Sequence, residues 1–247
     1  MSELSKNRYM ARTAMSDEDV RDAQQLRAKV FGASVKENNL DQDMFDAICT
    51  HILVEDTRNN QLVCCFRMLP LTNGGEIERC YSAQFYDLST LITYNSPMVE
   101  IGRFCIFPGL NDPDILRVAF GAMTRYVDEN KVKILFGCSS FDGTDTGAYL
   151  DAFTLLKDRY LAPQRWLPRV KAPDVFRFAQ KLGLCTPNAK RALAQMPPLL
   201  RTYLAMGGWV SDHAVVDQHL GTLHVFTALE IDAIPAARKR LLRAAVQ

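Results

Sequence analysis

Apolar and polar positions follow two rhythms along this chain, and the switches between them predict its elements. Residues 17–31 (DEDVRDAQQLRAKVF) open on acids suited to a helix N-terminus and set Val20, Ala23, Leu26 or Arg27, and Val30 on one stripe, which predicts a first helix. Residues 32–43 are polar without periodicity and read as a loop. Two strand-like runs follow, 50–55 (THILVE) and 62–69 (LVCCFRML), with Asn59-Asn60 marking a hairpin between them. The signals across 76–94 are mixed, with a short helix near 82–88. Residues 98–107 (MVEIGRFCIF) give a long strand pattern ended by Pro108-Gly109. A turn at 111–114, helical spacing at 115–129 and the apolar run 134–139 (ILFGCS) complete a βαβ unit. The stretch 143–196 is polar and broken by prolines and reads as an insertion, with helices expected at 149–159 and 174–182. Residues 197–247 close the chain with a helix from Pro197-Pro198 to Met206, a stop at Gly207-Gly208, strands at 209–216 and 222–231, and a basic helix at 234–246.

With 247 residues, 48% of them hydrophobic and 23% charged, the chain can bury one sizeable core, and we expect a single domain over 1–247. No run reaches the ~18 apolar residues of a membrane span, and the polar start does not resemble a secretory leader. Seven cysteines, an odd number without any C-x-x-C, argue for reduced thiols in a cytoplasm rather than a disulfide framework or zinc site. The net charge of +1 hides an asymmetry: residues 1–156 hold 15 Lys and Arg against 22 Asp and Glu, and 157–247 hold 14 against 6. That split suits a cationic small molecule in front and an acidic partner or anionic membrane surface behind, against the plainer reading of ordinary solvated surface.

Glu100-x-x-Arg103-Phe104 places a carboxylate and a guanidinium in an apolar strand, where an unpaired charge is costly. Alternation puts Glu100 and Gly102 on one face and Arg103 on the other unless a bulge intervenes. Glu100 can accept a proton from an amine nucleophile; the competing reading is a structural ion pair that holds an adjacent loop. Arg27 and Phe31 lie one turn apart, Asp43 and Asp46 follow a loop, and Arg67 sits in a strand; they can converge on one cleft or pair at the surface. Asp142 and Asp145 follow the strand at 134–139, where open α/β sheets bind ligands; the competing reading is helix capping by Thr144 or Asp145. His213, His219 and His224 have no metal-ligand spacing and read as surface or barrel-edge residues. Arg238, Lys239, Arg240 and Arg243 share the last helix with Leu241, Leu242 and Val246 and can rest on anionic lipid, while Arg165, Arg169, Lys171 and Arg177 can dock an acidic protein. No nucleic-acid-reading module is present in the sequence.

Arg27-x-x-x-Phe31, Asp43-x-x-Asp46, Arg67 and Glu100-x-x-Arg103-Phe104 stand in the order found in acyl-homoserine-lactone synthases. Through residues 139–145 (SSFDGTD) and the stretch from Pro197-Pro198-Leu199-Leu200-Arg201-x-Tyr203 to Phe226, the chain more closely resembles the bacterial ornithine-lipid N-acyltransferases. The resemblance implies a GNAT-like α/β fold: a mixed, mostly antiparallel central sheet flanked by helices and split near the Glu100 strand. It also implies transfer of a 3-hydroxyacyl chain from acyl carrier protein to the α-amine of L-ornithine, giving lyso-ornithine lipid. Under that reading Glu100 acts as base or amine-positioning group with Arg103, and Arg27, Phe31, Asp43, Asp46, Arg67, Asp142 and Asp145 serve the acceptor. Phe104, Ile106 and Phe107 line the acyl donor and oxyanion. The implied donor is a carrier-bound phosphopantetheine arm, with no permanently bound cofactor and no metal, in a cytoplasmic enzyme with peripheral contact to the inner leaflet. Two departures bear on this. No tryptophan precedes Trp166, against a lactone-forming activity, and the loop at 108–114 (PGLNDPD) lacks a basic glycine-rich stretch for a coenzyme A diphosphate. The alternatives are acylation of glutamine or another amino acid, a lactone synthase, and a non-catalytic module that binds acyl carrier protein.

Overall fold

In chain order the elements are β1 (Tyr9–Thr13), α1 (Asp17–Phe31), β2 (Thr50–Asp56), β3 (Gln61–Leu71), β4 (Tyr86–Asp87), β5 (Met98–Ile106), α2 (Pro113–Glu129), β6 (Ile134–Asp142) and α3 (Leu150–Arg159). They continue as β7 (Arg169–Val170), β8 (Val175–Phe176), α4 (Phe178–Lys181), α5 (Ala189–Gln195), α6 (Pro198–Ala205), β9 (Trp209–Val210), β10 (Ala214–Asp217), β11 (Thr222–Glu230) and α7 (Ala236–Ala244). The structure is a computed structural model that describes residues 8–32, 39–183 and 186–244. Cys185, Val246 and residues 33–38 of the loop expected at 32–43 lie outside the described residues. The fold is the expected mixed α/β architecture, a mostly antiparallel central sheet flanked by helices. The chain divides into two compact units, the first built from Met1–Pro70, Ile101–Val132 and Ala236–Gln247, the second from Leu71–Glu100 and Lys133–Pro235.

In the first unit α1 begins where the Ser16 side chain accepts the Asp19 N–H, with Asp17, Glu18 and Asp19 in the first turn, and ends at Gly32 in the left-handed conformation with φ of 57°. Its buried face carries Ala23, Gln24, Leu26 and Arg27, and the apolar part packs with Leu53 of β2, Cys65 of β3 and Cys105 of β5. The strands β1, β2 and β3 form an antiparallel meander, with the hairpin turning at Asn60, φ 56°. The strand β1 is a surprise of the structure, because its exposed positions give Tyr9–Thr13 no alternation to read. Asp112 caps α2 ahead of Pro113, and α7 is tied to α2 by a two-pronged bond from Arg243 to Asp128.

In the second unit β6 and β11 pair antiparallel from Asp142↔Thr222 to Ile134↔Glu230, and β10 and β8 extend the sheet from β11. The opening residues of β5 lie parallel to β6, and the register ends at Glu100↔Phe136, as a βαβ connection requires. The strand β6 runs three residues beyond the apolar run that announced it, because β11 supplies partners through Asp142. The helix expected at 174–182 is instead β8 followed by the single turn of α4: pairing of Phe176 with Ala214 outweighs local helical spacing. The strand expected at 209–216 breaks at Ser211, whose hydroxyl donates to the His213 carbonyl and accepts the Phe226 N–H. The stretch 143–196 contributes Phe153, Phe176 and Phe178 to the core around α3 and adds α5, which the sequence pattern does not announce. Among the described residues no helix is long and apolar enough to cross a membrane.

The histidine reading needs correction: His219 is exposed, but His213 and His224 are buried. Tyr86 Oη lies 3.1 Å from His224 Nδ1 and donates to the His224 carbonyl at 2.8 Å, and the Phe85 ring meets the imidazole edge-on. Burial pushes the His224 pKa down to about 4, with Asp217 opposing and His213 assisting. A folded-state value below the unfolded ~6.5 means stability present above pH 6.5 and lost as pH falls towards 4. We expect denaturant unfolding to show a loss of about 3 kcal/mol from this group over that window, absent in His224→Gln; an identical pH slope in both proteins contradicts the assignment.

Candidate active site

The motif residues of the first unit converge on one buried ion cluster. From α1, Arg27 donates through Nε to Asp41 Oδ2 at 2.9 Å and through Nη1 and Nη2 to the two oxygens of Asp46 at 2.8 and 2.9 Å, and it also bonds the Asp41 carbonyl. From β3, Arg67 grips Asp43 with both Nη atoms at 2.6 and 2.8 Å and reaches Asp46 Oδ1 at 2.7 Å. From β5, Arg103 donates to Asp41 at 2.9 Å and to Asp43 at 3.1 Å. Gln24 donates to Asp46 Oδ2, and His51 Nε2 lies 3.0 Å from the Asp46 carbonyl. Three guanidiniums thus face three carboxylates, with Arg27 only 1% exposed.

Local chemistry explains how each side chain arrives. Asp43 caps a short 3-10 turn at Met44–Ala47 by accepting the Phe45 N–H, while Asp46 accepts the Asp43 N–H, so this capping box aims both carboxylates. Arg103 takes a left-handed backbone, φ 52°, of the kind that marks a β-bulge and re-aims a side chain. That conformation costs about 1 kcal/mol for a non-glycine residue, and the two bonds to Asp41 and Asp43 offset it. Gly102 lies beside Arg67: a Cβ there would stand 3.4 Å from Arg67 Nε, an ordinary van der Waals contact. Burial alone would raise the pKa of Asp46, but the bond from Arg27 and the charges of Arg27 and Arg67 outweigh it and hold the group well below the usual range. Asp43 is likewise lowered, burial being overcome by Arg67 and Arg103. Burial also lowers the His51 pKa, against the pull of Asp46.

The other donor-side residues of β5 pack rather than pair. Phe104 stacks on Phe66 with ring centroids 5.3 Å apart and tilts against Phe120. Phe107 donates its N–H to the Val63 carbonyl, sits beneath Lys29 Nζ at 5.7 Å and shares with Phe31 the edge of the α1 core. Ile106 ends the strand and is half-buried.

In the second unit Glu100 is buried and held by one turn. Its Oε2 accepts the Tyr81 N–H at 2.8 Å, and its Oε1 accepts the Ser82 N–H at 2.7 Å and the Ser82 hydroxyl at 2.6 Å. The carboxylate therefore anchors an adjacent loop through two backbone amides and a hydroxyl. Asp142 is exposed at the end of β6, and Asp145, also exposed, caps the turn at Thr146–Tyr149 by accepting the Gly147 N–H at 2.8 Å. Among the described residues neither carboxylate has an ion-pair partner, and no group of three or more His, Cys, Asp and Glu is placed to hold a metal.

Asp41, Gln24 and His51 complete the ion cluster, and Tyr81 and Ser82 complete the Glu100 anchor, without having been singled out from the sequence. Asp41 had a signal in the Asp41-x-Asp43-x-x-Asp46 spacing; Ser82 had none, lying where the pattern is mixed.

Residues 26–119 match the family model described as an acetyltransferase (GNAT) domain. An L-ornithine N(alpha)-acyltransferase of Rhodobacter capsulatus is 30% identical over 92% of this chain and 91% of its own length. One from Brucella abortus is 30% identical over 90% and 84%. Among solved structures, the chain is similar to FeeM, an N-acyl amino acid synthase from uncultured soil microbes, at TM-score 0.50 and 10% identity over 91% of this chain and 92% of that one. It is also similar to BjaI, a CoA-dependent acyl-homoserine lactone synthase, at TM-score 0.51 and 11% identity over 96% and 88%. At such identities these two structures bear on the fold alone.

Removing one member of a buried, balanced cluster strands a charge. Asp46→Ala leaves Arg27 and Arg67 short of a shared carboxylate, and urea unfolding is expected to show a loss of about 3–5 kcal/mol; a change under 1 kcal/mol would mean that the cluster is open to solvent. Because the Asp43 and Asp46 values are depressed in the folded state, their contribution is complete above the unfolded ~3.9 and disappears as pH falls below it.

Proposed function

Because this chain belongs to the family of L-ornithine N(alpha)-acyltransferases within the GNAT acyltransferases, we propose that it moves a 3-hydroxyacyl chain from the phosphopantetheine arm of acyl carrier protein to the α-amine of L-ornithine, giving lyso-ornithine lipid. The observation that carries this reading is the shared sequence with the Rhodobacter capsulatus enzyme over nine-tenths of both chains.

The neutral amine attacks the thioester carbonyl, the new C–N bond forms, and the oxyanion is held by backbone N–H groups near Ile106. Collapse breaks the C–S bond, and the pantetheine sulfur leaves as the thiol, taking up the proton that Glu100 removes from the amine. Glu100 takes the amine proton directly or through water, and its fixed position supports that role: three donors from Tyr81 and Ser82 hold the carboxylate in one orientation. An α-amine with a pKa near ~7.7–8.0 in model peptides needs little basicity from its partner, so placement counts for more than proton affinity. Phe104 and Phe107 line the acyl donor. Arg27, Asp43, Asp46, Arg67 and Arg103 serve the acceptor side by holding the 41–46 segment rigid, and Phe31 serves it from the edge of the α1 core. The ammonium of the ornithine side chain goes to Asp142 and Asp145, since the guanidiniums already neutralise Asp43 and Asp46. Exposed Arg238, Arg240 and Leu241 on α7 suit contact with the anionic inner leaflet of a cytoplasmic membrane, where a lipid product must go.

Two experiments test this. Purified protein offered a 3-hydroxyacyl carrier protein with ornithine, glutamine, lysine or S-adenosylmethionine in separate reactions is expected to yield the ornithine amide by mass spectrometry. A glutamine amide or a lactone would overturn the acceptor, and an intact thioester in every reaction would overturn the catalytic reading. Glu100→Gln is expected to lower turnover at least ~10-fold in a folded protein, and a rate near that of the unaltered chain removes Glu100 from the mechanism.

A further inference from the structure

The turn that grips Glu100 is more elaborate than a loop anchor needs to be. Ser82 is fully buried, its amide and hydroxyl both end on the same carboxylate oxygen, and the hydroxyl bond is the shorter at 2.6 Å. A hydroxyl at that distance from a carboxylate makes a strong charge-assisted bond that favours the anionic form. The two amides would tether the turn to β5 without it; the hydroxyl adds control over the carboxylate's rotation and charge. The turn is closed by bonds from the Gln84 N–H to Tyr81 and from the Phe85 N–H to Ser82. It is braced from behind as well: Lys171 Nζ donates to the Ala83 carbonyl at 2.7 Å, the Ala172 N–H donates to Phe85, and β4 pairs with β7. A donor held this rigidly preserves its geometry during a reaction.

We propose that Ser82 is a positioning residue of the acyl transfer, its hydroxyl fixing the orientation and the charged state of the Glu100 carboxylate that receives the amine proton. This rests on the reading of Glu100 given above. Ser82 does not touch substrate; it acts through Glu100, so its loss affects turnover and its pH dependence rather than substrate affinity.

The test is Ser82→Ala in the full chain, assayed with 3-hydroxyacyl carrier protein and the acceptor that the unaltered protein uses. The expected result is a fall in kcat of about 10-fold, KM for both substrates within about twofold, and an acid limb of the kcat profile moved to higher pH. Ser82→Cys, which keeps a weak donor of similar size, is expected to fall between the two, and it carries the test if Ser82→Ala fails to fold. An unchanged kcat and acid limb in the folded variant overturns the proposal. Glu100→Gln assayed in parallel separates the two ideas. If Glu100→Gln is slow while Ser82→Ala is fast with an unshifted profile, only the Ser82 assignment falls. If Glu100→Gln keeps full turnover, or the unaltered protein consumes no thioester with any acceptor, both fall.

Discussion

Three arginines can sit inside a protein only if carboxylates meet them there, and that requirement governs the first unit. Arg27, Arg67 and Arg103 come from a helix and two strands, while Asp41, Asp43 and Asp46 come from one short segment that is otherwise irregular. Each aspartate contacts two of the arginines, so no pair can be removed without stranding the rest. Of the large apolar side chains here Phe45 is buried, but Met44 and Ile48 are exposed, and the ion cluster joins Phe45 in giving the segment a defined place. The local devices follow from this demand: a capping box to aim Asp43 and Asp46, and a left-handed residue to aim Arg103.

Glu100 solves the same problem differently. It lies three residues before Arg103 on β5, and two amides and a hydroxyl of the 81–82 turn bind its oxygens. Asp43 and Asp46 are gripped by guanidiniums from three separate elements, whereas the oxygens of Glu100 are fixed by the amides and hydroxyl of one turn.

Much of the fold was legible because its strongest elements are locally consistent. The acids at 17–19 open α1, the apolar run at 98–107 announces β5, and the helical spacing at 115–129 announces α2, which starts two residues earlier at Pro113. Elements whose existence depends on a distant partner were not legible. Val175 and Phe176 become a strand because Val215 and Ala214 are there to pair with, and Tyr9–Thr13 becomes one because Ile52–Asp56 accepts it. His213 and His224 read as surface or barrel-edge residues, but Tyr86 and Phe85 cover His224 from far along the chain.

The sequence by itself determined the helical and strand rhythms, the turns, and which charged residues stand in apolar surroundings and so must find partners, since capping and amphipathic spacing act between residues one turn or two apart. Tertiary structure alone decided who those partners are. Arg27 meets Asp41 across 14 residues, Arg103 meets it across 62, Ser82 reaches Glu100 across 18, and Tyr86 reaches His224 across 138. The pairing of a buried charge is set by which strands and helices stack around it, and that choice is made by packing the whole unit rather than by any stretch of the chain.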